Sequence, residues 1–320
     1  MSHNTLVTLK SGLQIPEFGI GTSPFGGLFA AVSESAVQDV ISTSLEMGLN
    51  YFDTAPHYGK GSAEQRLGQN INEHPRSTFI VSTKVGRLLV PSEKVDDPGW
   101  ENSATSVERI FDFSASGIER SFSESLERLK MDSVEMVFIH DPDGSPDQAI
   151  HEAYPVLEKM RDQGIVKTIG VGITSNEIPT RFIEETDIDV VLIALRYTLL
   201  DQSAGEKLLP KALERGVSVI AGGVFNSGIL TSPKNGATYN YETASPEILE
   251  RAQQMEVFFK ERGVSLAQAA LQYPMRHPAI SAILVGCRSK FEVKSNVDLY
   301  NEKISDAVWD EFEAFLQISR

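Results

Sequence analysis

A chain of 320 residues that is 41% hydrophobic and 23% charged can bury a large core, either as two ordinary domains or as one large α/β barrel. Its net charge of −15, with no Lys/Arg cluster to offset it, argues against nucleic acid or any other polyanion as a partner. No apolar run approaches the ~18 residues of a membrane span and residues 1–10 lack a signal-peptide core; the single cysteine, Cys287, excludes an intrachain disulfide, so a cytoplasmic protein off the membrane is expected.

The segment from Leu6 to Ile15 reads as a small hairpin turning at Ser11-Gly12. Strand patterns then begin near Phe18, Asn50, Phe79, Val134, Thr168, Val190, Ser218 and Ala282. Helical patterns separate them. One runs from Val32 to Met47 and starts among N-cap residue types; another is the stripe Ile118, Phe122, Leu126 and Leu129. A third, through Ile150, Ala153, Tyr154, Leu157 and Met160, stops at Gly164. A fourth runs from Pro246 to Arg262 behind Ser245.

Strand runs such as Val190–Ala194 and Ala282–Val285 are apolar throughout, as strands buried on both faces must be. Eight such units predict a (β/α)8 TIM barrel with an N-terminal β-hairpin and an extra C-terminal helix within residues 303–320. Residues 1–320 read as one barrel domain, since no linker divides them. No Gly-x-Gly-x-x-Gly follows the first strand, which speaks against a Rossmann sheet. Two long excursions interrupt the repeat, Leu88–Ser116 and Phe225–Ala244, at the end of the barrel where such loops shape active sites.

Four proton-handling side chains fall at strand ends or just beyond: Asp53, Tyr58, Lys84 and His140. A free phenol titrates near pH 10. A neighbouring ammonium lowers that value, so Lys84 is expected to make Tyr58 more acidic, with Asp53 pairing Lys84 and His140 hydrogen-bonding a substrate oxygen. Each residue alone has an ordinary explanation as packing or a cap, but four together at successive strand ends point to catalysis. His57 and Asp141 flank them as substrate-contact candidates. No metal site is expected, because His57, His140 and His151 lack ligand spacing and Cys287 stands alone.

The chain resembles the aldo-keto reductases through Phe18–Thr22, Gly48–Ala55, Ser62–Gly68, Ile139-His140, Gly164–Val171, Ser227–Leu230 and the run to Asn296. The resemblance implies a barrel that binds an extended nicotinamide dinucleotide, with Asp53, Tyr58, Lys84 and His140 as the catalytic tetrad. It places the cofactor on Thr22, on Val224, Phe225, Asn226, Gly228 and Leu230, and on Gly286, Arg288, Ser289, Glu292 and Asn296. Three family contacts are replaced: the carboxamide-holding Ser-Asn pair falls at Gly172 and Ile173, a Gln at Ala194, and the stacking aromatic near Gly222. Thr174, Asn176, Arg196 and Phe225 are candidate substitutes.

Phe111–Ser114, His140–Asp143, Arg196–Leu200 and Gly222–Gly228 resemble the subgroup of D-threo-aldose (L-fucose) 1-dehydrogenases and pyridoxal 4-dehydrogenases. That implies oxidation of a cyclic hemiacetal hydroxyl to a lactone, on a small-molecule sugar or aldehyde, with Trp100, Asp141 and Arg196 in the substrate pocket. Glu292 stands where NADP-dependent relatives carry a base. A carboxylate there repels a 2′-phosphate and accepts a ribose hydroxyl, so NAD is the expected cofactor, with NADP kept open by Arg288 and Lys290. The alternatives are a general NADPH-dependent aldehyde reductase and, outside enzymes, a binding protein like the potassium-channel β subunits, for which no docking patch stands out.

Overall fold

In a computed structural model, residues 2–93 and 97–318 are described. The predicted hairpin forms as β1 (Leu6–Thr8) and β2 (Gln14–Pro16), antiparallel, with Gly12 at φ 85° in its turn. The barrel strands are β3 (Phe18–Gly21), β4 (Tyr51–Asp53), β5 (Ile80–Val85), β8 (Met136–His140), β9 (Thr168–Ile173), β10 (Val190–Ala194), β11 (Ser218–Gly222) and β14 (Ile280–Gly286). All pair in parallel, and the pairing of β14 with β3 closes the ring.

Two cores hold this arrangement. Tyr51, Met136, Phe138, Leu192, Ile220 and Leu284 fill the barrel interior together with Leu9 and Ile15 of the hairpin. The hairpin therefore plugs the N-terminal end, where Ser11 Oγ meets Thr168 Oγ1 at 2.7 Å and Lys10 N donates to Ser218 Oγ at 3.1 Å. Outward-facing strand residues such as Phe52, Val81, Val137 and Val171 pack against the surrounding helices. With one end closed, chemistry is confined to the other.

The helices start and stop where their end chemistry dictates. Ser33 caps the helix Glu34–Glu46 and Ser245 caps Pro246–Lys260, each hydroxyl accepting from the backbone N–H three residues on. The stripe Ile118, Phe122, Leu129 is buried along Ala115–Leu129. The helix expected through Ile150 and Met160 is broken: a π turn spans Ala149–Ala153, and Tyr154 N donates to Ala149 O before Tyr154–Asp162 continues. Pro155 has no N–H to give to the carbonyl four residues back, and the wider turn absorbs the gap.

Both excursions contain hairpins that were not expected from the sequence. β6 (Arg87–Pro91) pairs antiparallel with β7 (Val107–Phe111), and a two-residue pair β12 (Thr238–Tyr239) and β13 (Glu242–Thr243) forms beyond β11. Residues 94–96 of the first excursion and 319–320 of the C-terminal extension lie outside the described residues. The remainder of that extension is the helix Asp306–Ile318. No helix among the described residues is long and apolar enough to cross a membrane.

Candidate active site

The open end of the barrel gathers the four strand-end residues. Asp53 closes β4, Lys84 is the penultimate residue of β5, and His140 closes β8. Lys84 Nζ stands 2.6 Å from Asp53 Oδ2 and donates to Thr54 O at 2.8 Å. Ser82 Oγ donates to Asp53 Oδ1 at 2.7 Å and lies 3.0 Å from the Tyr51 hydroxyl. The Tyr58 ring lies with its centroid 4.7 Å from Lys84 Nζ and 6.1 Å from that of His140, edge to face.

The expected electrostatics of Tyr58 need correction. Its phenol is pushed well above the ordinary value, first by burial and then by the carboxylates of Asp53 and Asp141, with Arg87 opposing. Lys84 does not acidify it, because the ammonium faces the ring and its charge is matched by Asp53 at 2.6 Å. Tyr58 therefore holds its proton firmly. Both imidazoles are neutral: burial, then Arg87 and Arg109, push His57 down to about 2, and burial, then Arg87 and Lys84, hold His140 well below its ordinary value.

Of the substrate-contact candidates, His57, Trp100 and Asp141 join this cluster. The Trp100 ring is 5.8 Å from Tyr58, nearly parallel, and 5.3 Å from His57, edge on. Its loop is tied down by Arg109, which pairs with Asp97 at 2.7 Å, donates to His57 O at 2.9 Å and lies over the indole. Arg196, just beyond β10, pairs with Asp201 at 3.3 Å and acts on the Tyr241 phenol along with Tyr58, Asp141 and Lys84.

Sequence reasoning missed Arg87 and Tyr241. Arg87 Nη2 reaches Asp141 Oδ2 at 2.5 Å and Nη1 lies 3.0 Å from His57 Nδ1. Its signal was faint: a glycine between two cationic residues. Gly86 has φ 95°, and a Cβ there would stand 2.3 Å from the Phe113 ring, so only glycine allows the bend that carries β5 into β6. Tyr241 follows Asn240 at a turn where both have positive φ, and its N–H donates to Ser227 Oγ at 2.9 Å. Its ring stacks on Phe29, with centroids 6.3 Å apart.

The residues expected to hold the dinucleotide line one side of the mouth. Among the described residues Thr22 Oγ1 is buried without a partner, an open polar atom beside Asp53, whose carbonyl accepts from Thr22 N at 2.9 Å. Beyond β11, Gly228 has φ 105° and, among the described residues, nothing within 4 Å of where a side chain would begin, so its backbone stays open to approach. Val224 and Leu230 are buried, and Phe225 packs against the core. Asn226 is committed internally, with Thr198 Oγ1 on its Oδ1 at 2.5 Å and Leu195 O accepting from its Nδ2 at 3.3 Å. At the far end Ser289 caps the helix Lys290–Asn301 behind Gly286, Arg288 pairs with Glu292 at 3.1 Å, and Asn296 Nδ2 lies 3.5 Å from Cys287 Sγ. Thr22 Oγ1 and the Gly228 backbone are open to a dinucleotide, whereas Asn226 and Arg288 are engaged within the protein.

The Aldo/keto reductase family pattern matches residues 17–317. The chain belongs to the aldo-keto reductase family. It is 35% identical to a D-threo-aldose 1-dehydrogenase of Pseudomonas sp, over 97% of each protein. It is also 35% identical to a pyridoxal 4-dehydrogenase of Microbacterium luteolum, over 94% of each. The glycerol dehydrogenase of Gluconobacter oxydans shares the fold, with a TM-score of 0.77 at 22% identity over 100% of this chain and 97% of that one. This aldo-keto reductase is accordingly an NAD(P)-dependent oxidoreductase.

Proposed function

We propose that the enzyme oxidises the anomeric hydroxyl of an aldose such as L-fucose to the lactone, with NAD as the preferred hydride acceptor and Tyr58 as general acid and base. The observation that carries this reading is the meeting of Tyr58, the Asp53–Lys84 pair and His140 with the polar groups of Asp141 and Arg87 at one barrel mouth. A simple aldehyde pocket has no need of that second polar set. The similarity to a D-threo-aldose 1-dehydrogenase supports it.

When bound, the oxidised nicotinamide ring supplies a positive charge and takes up hydride from the substrate carbon. Tyr58 Oη receives the hydroxyl proton as that C–H bond breaks, and returns it when the reaction runs toward reduction. Because burial raises the phenol, Tyr58 is ready to donate in reduction, while oxidation draws on the minor phenolate form, which has given its proton to solvent and takes up the hydroxyl proton as the hydride leaves. His140, neutral, hydrogen-bonds the same oxygen without exchanging a proton with solvent. Lys84, with Asp53 and Thr54 O as acceptors, steadies the ring from its face. Trp100 offers an apolar surface to the sugar ring.

NAD preference rests on Glu292. Its carboxylate accepts from Arg288 N at 2.8 Å and from the Arg288 guanidinium, so the nearest cation is already matched and a 2′-phosphate would meet a neutral pair. Pyridoxal, which also closes to an internal hemiacetal, is the second reading, favoured by equal identity to a pyridoxal 4-dehydrogenase. Formation of reduced nicotinamide with L-fucose or pyridoxal, each with NAD and NADP at equal concentration, decides among these. No turnover of any aldose would sink the aldose reading, and a strong NADP preference would sink the cofactor assignment.

A further inference from the structure

Arg87 takes no part in the proton and hydride steps, yet at the mouth it meets both Asp141 and His57. Its guanidinium is 11% exposed and stacks over Phe111, its cross-strand neighbour, at 4.5 Å. One fork arm reaches Asp141 Oδ2 at 2.5 Å; the other reaches His57 Nδ1 at 3.0 Å. Arginine only donates. His57 Nδ1 must therefore be the bare, accepting nitrogen, and the ring proton resides on Nε2. Asp141 must present its second oxygen, Oδ1, as an acceptor.

Neither His57 Nε2 nor Asp141 Oδ1 makes a hydrogen bond to the protein among the described residues. Both belong to side chains beside the reacting groups: the His57 ring is 6.2 Å from Tyr58 and 5.7 Å from His140, and Asp141 Oδ2 lies 3.4 Å from His140 Nε2. One guanidinium thus fixes a donor and an acceptor of known polarity next to the place where the substrate oxygen must lie. A hydroxyl is the group that satisfies both at once, giving its proton to the carboxylate and accepting one from the imidazole.

We infer that Arg87 is a positioning residue that, through Asp141 and His57, selects substrates bearing a hydroxyl on the carbon next to the reacting one. This deepens the aldose reading, in which that hydroxyl is the one on C2, but it is tested without it. The fork matters as well as the charge: a lysine at this position keeps the cation but cannot address both partners in fixed geometry. Asp141→Asn changes the polarity directly, because its amide would turn its oxygen to Arg87 and leave an N–H where the acceptor was.

The test compares reduction of lactaldehyde, which has the neighbouring hydroxyl, with propanal, which lacks it, in wild type, Arg87→Lys, Arg87→Gln and Asp141→Asn. The wild type is expected to favour lactaldehyde in kcat/KM by about 10–100-fold, the effect of leaving buried polar groups unpaired. Each variant should lose most of that ratio, which is read within one protein so that any change common to both aldehydes, through Tyr58 or the fold, cancels. A wild type indifferent to the hydroxyl, a ratio that survives in the variants, or an equal fall for both aldehydes overturns the inference. Oxidation of L-fucose and 2-deoxy-L-fucose is run in parallel. Its failure would remove the aldose reading and leave the aldehyde comparison standing.

Discussion

Asp53 Oδ2 and Lys84 Nζ lie 2.6 Å apart with side-chain exposures of 3% and 1%, so each is the other's counter-charge in a site that excludes water. Removing one member of such a pair strands the other. Asp53→Asn is expected to cost about 3–5 kcal/mol of stability, and Lys84→Met a similar amount. The double variant should cost clearly less than the sum. Denaturant midpoints of the three proteins measure this; simple additivity would show that the two charges act independently.

Tyr58→Phe tests the proton-transfer assignment. The change removes one oxygen and keeps the ring packed against Trp100, 5.8 Å away, so folding should be untouched. Hydride transfer in either direction should fall by about 10²–10⁴, while cofactor affinity, followed by quenching of tryptophan fluorescence, stays within a few-fold. Undiminished turnover would remove Tyr58 from the mechanism.

The neutral histidines make stability depend on pH. In the unfolded chain each takes up a proton near pH 6.5, whereas in the fold His57 is pushed down to about 2 and His140 is held well below its ordinary value. Below pH 6.5 the unfolded state therefore binds more protons and stability falls as the pH falls, by about 1.4 kcal/mol per pH unit per histidine. Above pH 6.5 this contribution is fully present and flat. Urea midpoints at pH 7.5 and 5.5 should show the loss, and His57→Gln should remove roughly half of it. The rate of alcohol oxidation should show no inflection near pH 6.5 and should climb toward the alkaline titration of the phenol.

Asp53, Lys84 and His140 were legible in the sequence because a strand end is a local signal: an apolar run stops and a polar residue is left at its rim. Arg87 was not. Its place depends on the bend at Gly86 and on a hairpin partner, Phe111, twenty-four positions away across a long segment whose turn residues, Asp97-Pro98-Gly99, do not fix the strand register. The acidity of Tyr58 was misjudged for a related reason. Sequence order puts Lys84 near it, but the sign of the net effect depends on burial and on which carboxylates, Asp53 and Asp141, close around the phenol in three dimensions. The π turn before Pro155 was likewise hidden inside an apolar stripe of ordinary period.

The proposed NAD preference turns on one half-buried carboxylate with two duties. Glu292 Oε2 accepts from Arg288 N at 2.8 Å, while Ser289 Oγ accepts from Glu292 N at 3.3 Å, so the pair acts much as a capping box at the start of the helix Lys290–Asn301. The same carboxylate holds the Arg288 guanidinium. Glu292→Gln keeps an oxygen for the backbone donor and removes the charge, so the helix start should survive. Arg288 is then released to meet a 2′-phosphate. Steady-state kinetics should show kcat/KM for NADP rising by about 10-fold, in line with a charge-assisted hydrogen bond gained, and NAD changing by less. Adding Arg288→Leu should cancel the gain. If the single change leaves the NAD/NADP ratio where it was, discrimination lies elsewhere along the mouth and Glu292 serves only the helix.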